Sequence, residues 1–211
     1  MYPFFKRLFD VLVAGIALVI LSPLLLVIAV AIRTTSPGPA IFRQERAGRG
    51  GRPFVLLKFR TMRLDTYPFG PSPRSGEDPR LTRVGRFLRE YSLDELPQLC
   101  NIVWGEMSLI GPRPLYVSQI AEWDDRQRRR LLVKPGLTGL AQVSGRGELT
   151  VEKKLDLDVR YVEHAGFGSD ARILLATLVW VLARHGVYER RYSRTEQVRG
   201  PSRSKSDENE N

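Results

Sequence analysis

Residues 11–32 read VLVAGIALVILSPLLLVIAVAI, a run of 22 positions without a charged side chain. As one continuous α-helix, a segment of this length measures about 33 Å, close to the hydrocarbon thickness of a bilayer. A secretory signal has a shorter apolar region and a small-residue cleavage site, and the sequence TTSP at residues 34–37 does not supply one. The run therefore predicts a membrane-associated segment near the amino terminus.

Ser22-Pro23 divides this run into arms of 12 and 9 residues. Proline removes a backbone donor and clashes with the preceding turn, so we expect the helix to kink there. The arms would measure about 18 and 14 Å, and neither crosses a bilayer alone. Basic residues, which favour the cytoplasmic side, flank both ends (Lys6 and Arg7 before, Arg33 after). These features favour a re-entrant helix broken at Ser22-Pro23, and the alternative is an ordinary proline-kinked span.

The charge of the chain narrows the class of partner. Thirty-three Lys and Arg against 23 Asp and Glu give a formal net charge of +10. A basic body behind an apolar end argues against an ordinary soluble globule and for a membrane surface, a phosphate-rich ligand, or both. One cysteine, Cys100, excludes an internal disulfide framework, and with two histidines the chain cannot build a His-rich or Cys-based zinc site.

The rest of the chain predicts an α+β, mostly helical fold with a small β-hairpin and short amphipathic or interfacial helices. The hairpin strands are expected at 40–43 and 54–59, around the glycine-rich turn 47–52, which lacks the spacing of a phosphate loop. Helices are expected at 83–91, 95–104, 116–131, 151–163 and 170–184. The last is apolar but too short to span, so it is a core helix or an interfacial one, and we favour the core.

Three regions are expected: a re-entrant membrane-anchoring helix at 1–36, a folded domain at 37–200, and a polar, disordered tail at 201–211.

Asp94 and Glu95, in the sequence SLDELPQL at residues 92–99, are adjacent carboxylates where a helix is expected to begin. One interpretation is structural, because Ser92 and Glu95 have the spacing of a capping box. The other is functional, because a carboxylate at a helix amino terminus is expected to stay ionised and solvent-facing, as a nucleophile or metal ligand must.

Cations surround this pair in the sequence. Arg113 lies between two prolines that fix its direction, and bidentate phosphate binding is a natural use of such an arginine. The other basic residues near the pair are Lys58, Arg60, Arg89, Lys134 and Arg146. Carboxylates within a ring of cations predict a diphosphate ligand with Mg²⁺, which takes one or two carboxylates together with phosphate oxygens.

Four blocks of the sequence resemble the bacterial monotopic phosphoglycosyl transferases. They are KRLFD with the later LSP, FRQERAGRGGRPFVLLKFRTM, FLREYSLDELPQLCNIVWGEMSLIGPRPL and KPGLTGLAQVSGR, and the likeness covers about residues 4–200. The resemblance implies transfer of a sugar-1-phosphate from a UDP-sugar to polyprenyl (undecaprenyl) phosphate, release of UMP, and initiation of glycoconjugate assembly. It also implies a helix that is re-entrant at Ser22-Pro23, and that the domain at 37–200 is catalytic and lies on the cytoplasmic face.

The resemblance assigns roles to individual residues. It implies a catalytic dyad at Asp94 and Glu95, which would also hold Mg²⁺, with Asp94 forming a covalent phosphosugar intermediate. The substrate-binding residues that we expect are Lys58, Arg89, Arg113, Arg146, Asp158 and Tyr161.

The partners that this reading implies are the UDP-sugar, polyprenyl phosphate and membrane lipid, without nucleic acid; a homodimer stays open. The expected location is the cytoplasmic face of the bacterial inner membrane. Two alternatives remain: a membrane-tethered basic protein that binds nucleic acid or anionic lipid without catalysis, and a Mg²⁺-dependent lipid-phosphate hydrolase.

Overall fold

The fold is that of a computed structural model, which describes residues 1–66, 72–73 and 75–183. In chain order its elements are α1 (Tyr2–Thr35), β1 (Ile41–Ala47), β2 (Pro53–Phe59), α2 (Arg83–Glu90), α3 (Gln98–Trp104), β3 (Ser108–Ile110), α4 (Asp125–Arg128), β4 (Gly136–Thr138), α5 (Leu140–Val143), α6 (Val151–Glu163) and α7 (Phe167–Ala183). The α+β, mostly helical class is confirmed. The predicted tail at 201–211 lies outside the described residues.

Helix α1 runs without interruption through Ser22-Pro23, where the sequence predicts a break. A proline at position 23 cannot donate to the carbonyl of Val19, one turn earlier. The hydroxyl of Ser22 donates to that carbonyl instead, at 2.8 Å. The backbone group that proline leaves without its usual partner is therefore satisfied by the side chain before it, and the helix continues.

Both halves of α1 contact the same body. In the first half, Ala14 is buried in a core cluster with Ile102, and Asp10 accepts hydrogen bonds from the Ser108 hydroxyl and the Leu109 amide. In the second half, Ile32 is buried in a further cluster with Leu88. Helix α1 therefore lies along the body at both ends.

Much of α1 is nonetheless open. Among the described residues it is the one helix long and apolar enough to cross a membrane. Its exposed apolar residues include Ile16, Val19, Ile20, Leu26 and Val27. Helix α7 has a similar division, because Ile173 is buried in the core while Leu175, Leu178 and Val179 are exposed. The expectation that this last helix packs in the core is thus confirmed for one face only.

The predicted hairpin is present, and its first strand is longer than expected. Strands β1 and β2 pair antiparallel, with Ile41 opposite Phe59 and Ala47 opposite Pro53. Gly50 and Gly51 have φ of 68° and 76° in the connecting turn, a left-handed conformation that glycine adopts freely. The glycine cluster therefore serves the turn, as predicted.

Side chains of alternating residues share one face of this hairpin. Residues directly opposite each other in an antiparallel pair lie on the same face. Because Arg46 pairs with Phe54 and Phe42 with Lys58, one face carries Gln44, Arg46 and Lys58. This face turns polar groups toward the segment that follows β3.

Other elements depart from the prediction. The segment predicted as one helix at 116–131 is three short pieces, a 3₁₀ turn at Val117–Glu122, α4, and a 3₁₀ turn at Arg129–Leu132. Asp124 caps α4 by accepting from the Gln127 amide, and the chain therefore restarts there.

The predicted helix at 95–104 starts only at Gln98, because the turn before it is 3₁₀.

A second small sheet was not predicted. Strands β3 and β4 pair in parallel, with Ser108 opposite Gly136 and Ile110 opposite Thr138. A Cβ atom at Gly136 would lie 2.1 Å from the Gly111 amide nitrogen, so only glycine permits this approach. The pairing fixes the start of the Gly111–Pro114 loop, which carries Arg113.

Candidate active site

The two adjacent carboxylates lie on a single 3₁₀ turn, Leu93–Glu95, between α2 and α3. Both residues are buried, with exposed fractions of 6% for Asp94 and 7% for Glu95. The expectation of a solvent-facing pair is therefore wrong. The hairpin and the loop that carries Arg113 pack over the turn and remove it from bulk solvent.

Glu95 is fixed by two cations. Its Oε1 atom accepts from Lys58 Nζ and from Arg113 Nη2, each at 2.8 Å. Burial alone would raise the pKa of Glu95, but Arg113 and Lys58 outweigh it and hold that pKa well below its usual value. Glu95 is thus an ionised anchor that orients two basic side chains.

Asp94 has a different environment. Within the described residues its carboxylate makes no hydrogen bond and no ion pair. Burial raises the pKa of Asp94 above its usual value, with repulsion from Glu95 adding to the increase and Lys58 opposing it. Such a carboxylate has lone pairs available for a metal ion or for an electrophilic centre.

Arg146 approaches the same turn from the segment after α5. Its Nη1 lies 3.1 Å from the Ser92 hydroxyl, and its charge lies near enough to Asp94 to lower the pKa of that carboxyl. The capping-box interpretation is wrong, because Ser92 has φ of 57° and its side chain accepts no capping hydrogen bond. The left-handed backbone directs the hydroxyl toward Arg146.

Arg89 reaches the site from the last turn of α2. Its Nε donates to the Thr61 hydroxyl at 3.0 Å, and its charge also favours the ionised form of Asp94. The structure therefore brings together Asp94, Glu95, Lys58, Arg89, Arg113 and Arg146.

Asp158 and Tyr161 lie elsewhere. Asp158 forms an ion pair with Arg130 in which both side chains are nearly inaccessible, with exposed fractions of 3% and 2%. Arg130 also donates to the Arg113 carbonyl at 2.5 Å. Arg130 therefore links the Asp158 carboxylate to the backbone of Arg113.

Tyr161 belongs to a network at the amino terminus of α1. Its hydroxyl contacts Asp170 Oδ1 at 2.8 Å and the Ile110 carbonyl at 3.2 Å. The other oxygen of Asp170 accepts from Tyr2 and Lys6, each at 2.7 Å. In the structure both residues are engaged by other protein groups, Asp158 by Arg130 and Tyr161 by Asp170, and their substrate contacts stay a prediction.

Arg60, to which the sequence assigned no role, binds the backbone just after the end of α1. Its guanidinium donates to the carbonyl of Pro37 and, at 3.0 Å, to that of Ser36. Arg46 and Arg130 were not identified from the sequence as residues that contact or support the site. The predicted first strand ended at residue 43, so the alternation that places Arg46 beside Lys58 was not visible.

The carboxylates of the site suit a metal ion whose remaining ligands come from the substrate. No group of three or more His, Cys, Asp or Glu side chains that could hold a metal occurs in the described ranges. Mg²⁺ in phosphoryl-transfer sites takes one or two carboxylates together with phosphate oxygens. Asp94, whose carboxylate makes no hydrogen bond or ion pair within the described residues, fits that requirement, whereas one oxygen of Glu95, Oε1, is already engaged by Lys58 and Arg113.

The chain is similar in sequence to the bacterial sugar transferases. The sequence profile of the bacterial sugar transferases matches residues 1–184. The uncharacterized sugar transferase EpsL of Bacillus subtilis is 40% identical over 195 residues, which is 92% of this chain and 96% of EpsL.

Several relatives carry the name UDP-glucose:undecaprenyl-phosphate glucose-1-phosphate transferase, and two of them differ in how much of their length this chain matches. The one from Caulobacter vibrioides is 43% identical over 87% of this chain and 72% of its own length. The one from Klebsiella pneumoniae is 43% identical over 82% of this chain but only 39% of its own length. The chain therefore spans less than half of that longer relative.

Proposed function

The chain belongs to the bacterial sugar transferase family, and on that premise we propose that it transfers a sugar-1-phosphate from a UDP-sugar to polyprenyl phosphate and releases UMP. The observation that carries the proposal is the contrast between Asp94 and Glu95. A carboxylate that makes no hydrogen bond or ion pair within the described residues, beside one anchored by two cations, suits nucleophilic attack on a phosphoryl group. The names of the relatives support the same reaction.

We assign the nucleophile to Asp94. One Oδ atom attacks the phosphorus that bears the sugar, and the bond from that phosphorus to the bridging oxygen breaks. The electron pair leaves with UMP. The product is an acyl phosphate on Asp94. A phosphate oxygen of the polyprenyl acceptor then attacks the same phosphorus, breaks the acyl-phosphate bond and regenerates the carboxylate.

The cations around the turn prepare this chemistry. Lys58 and Arg113 are held in place by Glu95, so their positive charges are positioned before the substrate arrives. Arg89 and Arg146 add charge beside Asp94. Preorganised cations of this kind stabilise the charge that spreads over the phosphoryl oxygens in the transition state.

Asp94 is our candidate for the Mg²⁺ ligand, with the donor diphosphate supplying further oxygens. Bound Mg²⁺ offsets the charge that otherwise repels an anionic nucleophile from a diphosphate. Glu95 supports this site indirectly, by keeping Lys58 and Arg113 in position.

The location proposed is the cytoplasmic face of the bacterial inner membrane. The exposed apolar residues of α1 and α7 would contact lipid, and the long-chain acceptor presents its phosphate at the same headgroup level. Family membership favours this reaction over a tethered basic binding protein and over a lipid-phosphate hydrolase.

The experiment is an assay of UMP release from a panel of UDP-sugars, with purified protein, Mg²⁺ and undecaprenyl phosphate. We expect at least one UDP-sugar to support turnover. Asp94→Asn should abolish it, whereas the isosteric control Asp125→Asn, at an exposed position in α4, should retain it. Absence of UMP release with every sugar, or full activity of Asp94→Asn, contradicts the proposal.

A second assay addresses the covalent intermediate. Without polyprenyl phosphate, the protein should release at most one UMP per active site and gain the mass of one sugar phosphate on Asp94. Adding the lipid should discharge it. UMP that appears only with the acceptor, and without an adduct after rapid quench, would refute the covalent route while leaving the transferase assignment intact.

A further inference from the structure

Arg46 is held in a fixed orientation beside the active-site cations. It lies on β1, on the hairpin face that also carries Lys58. Its guanidinium carbon is 3.6 Å from the centroid of the Tyr116 ring, and its Nη2 donates to Gln44 Oε1 at 2.5 Å. A guanidinium stacked on an aromatic face loses little further freedom when it binds a planar or tetrahedral anion.

Arg46 is a cation that no carboxylate of the described residues contacts directly. Within the described residues it forms no ion pair, and its Nε is buried without a hydrogen-bond acceptor. Buried cations are normally paired, because removal of a charge from water is costly. An orphaned, buried Nε on this half-buried cation therefore points to a ligand that supplies the acceptor.

The electrostatic surroundings indicate the sign of that ligand. Burial lowers the pKa of Arg46 to about 10, the nearby Tyr116 opposes this change, and repulsion from Arg113 adds to it. Arg46 and Arg113 are thus neighbouring cations, and Glu95, which attracts both, is already engaged by Lys58 and Arg113. An anion bound between Arg46 and Arg113 would relieve their repulsion.

We propose that Arg46 is a phosphate-binding residue of this active site and extends the row of cations from Arg113 along the hairpin. The inference rests on the proposed transferase function, because a phosphate must be present in the reaction. Two sources share this chemistry, the diphosphate of the nucleotide sugar and the phosphate of the polyprenyl acceptor. The first would make Arg46 part of donor binding, and the second part of acceptor binding.

The test compares three variants of the full chain. Arg46→Met keeps an apolar stem and removes the charge and donors. Arg46→Lys keeps the charge and loses the planar fork. Arg43→Met is the matched control, because Arg43 is exposed on the same strand and on the opposite face of the hairpin. The measurements are binding of UDP, inorganic pyrophosphate and uridine, and the KM for each substrate.

If Arg46 binds the donor, Arg46→Met should weaken UDP and pyrophosphate binding at least tenfold and leave uridine binding unchanged. If it binds the acceptor, the KM for polyprenyl phosphate should rise at least tenfold while UDP binding stays the same. In either case Arg46→Lys should give a smaller loss, and Arg43→Met should behave as the parent protein.

Three results would overturn the inference. The first is a folded Arg46→Met variant whose affinities and KM values equal those of the parent. If Arg46→Met does not fold, the same result for Arg46→Lys would overturn the inference. Another is an equal loss of uridine and UDP binding, which would indicate a merely structural role. The third is a parent protein that binds neither UDP nor pyrophosphate and shows no turnover. A parent that binds UDP but releases no UMP from any UDP-sugar refutes only the transferase function, and UDP binding then decides the role of Arg46.

Discussion

Ser92 and Arg146 are the two non-glycine residues with positive φ in the described ranges, at 57° and 47°, and they contact each other. A left-handed conformation costs a non-glycine residue about 1–2 kcal/mol. Residues held in such conformations cluster at functional sites. Here both flank the turn that carries Asp94, so the strain is located where the two segments meet.

The first prediction separates this strain from the hydrogen bond. Ser92→Gly and Ser92→Ala both remove the hydroxyl that accepts from Arg146, and only glycine relieves the left-handed backbone. We expect the unfolding free energy of Ser92→Gly to exceed that of Ser92→Ala by about 1 kcal/mol, so Ser92→Gly should also unfold at a higher temperature. Both variants should release UMP more slowly than the parent protein. Equal stability of the two variants would mean that the backbone at Ser92 is not strained.

The second prediction concerns the buried ion pair of Arg130 and Asp158. Asp158→Asn leaves the guanidinium without its anion in an inaccessible site, so the free energy of unfolding should fall by about 3–5 kcal/mol. The control is Asp156→Asn on the same helix, where the ion pair with Arg126 is largely exposed and the loss should be under about 1 kcal/mol.

Thermal or urea unfolding measures both variants. Because Arg130 also holds the Arg113 carbonyl, we expect Asp158→Asn to raise the KM for the UDP-sugar as well. Equal stability losses in the two variants would contradict the role that we assign to Asp158.

The third prediction is a pH dependence. Burial raises the pKa of Asp94, and the nucleophile must be ionised. The value of kcat/KM should therefore fall on the acid side at a pH above the range in which an ordinary aspartate titrates, about 3.9. A rate profile that stays flat down to that range would contradict the assignment.

The ionisation of Asp94 should also affect the free energy of unfolding, which should decrease with rising pH while kcat/KM increases. A carboxyl whose pKa is raised by folding stabilises the protein most below its unfolded pKa, and this contribution is lost as pH rises through the folded pKa. Asp94→Asn resembles the protonated form. It should therefore be more stable than the parent at pH 8, and the difference should shrink as the pH falls.

Local signals explain which elements the sequence predicts well. Helices α2 and α6 begin where predicted, because Thr82 and Thr150 cap them with hydrogen bonds from Gly85 and Lys153 amides. These interactions span three residues, so they are visible in the sequence. The carboxylate pair and its surrounding arginines were visible too, because residue type and spacing alone suggest phosphate chemistry.

Contacts between distant residues explain what the sequence does not predict. The partner of Asp158 lies 28 positions away, and no local pattern selects Arg130 from its arginine neighbours. Ser92 has the spacing of a cap, but its backbone conformation is set by the packing of the turn. The hydroxyl of Ser22 compensates for Pro23, which the propensity of proline alone does not reveal.

The fourth prediction is topological. Because both ends of α1 contact one body, residues before and after it should lie on the same side of the membrane. Single cysteines at Pro3, Thr35 and Glu122, in a Cys100→Ser background, can be tested with an impermeant thiol reagent in intact spheroplasts. All three should be labelled only after permeabilisation. Labelling of Pro3→Cys alone in intact spheroplasts would show that α1 spans the bilayer.

The fifth prediction tests the compensation of Pro23 by Ser22 with a double-mutant cycle. In the parent chain, Ser22→Ala leaves the Val19 carbonyl without this donor, and we expect a loss of about 0.5–1.5 kcal/mol of unfolding free energy. In a Pro23→Ala background the restored amide can donate to that carbonyl, so Ser22→Ala should cost almost nothing. The coupling energy, measured by thermal unfolding in one detergent, should lie within about 0.5–3 kcal/mol.

The control for this cycle is Thr34→Ala near the end of the same helix. The Thr34 hydroxyl also contacts a carbonyl one turn earlier, that of Val30 at 3.0 Å, but the amide at position 34 is available to that carbonyl as well. Its hydroxyl is therefore redundant, and its removal should cost far less than Ser22→Ala. Equal costs at the two positions, or additivity of Ser22→Ala and Pro23→Ala, would show that the serine does not replace the missing donor of proline.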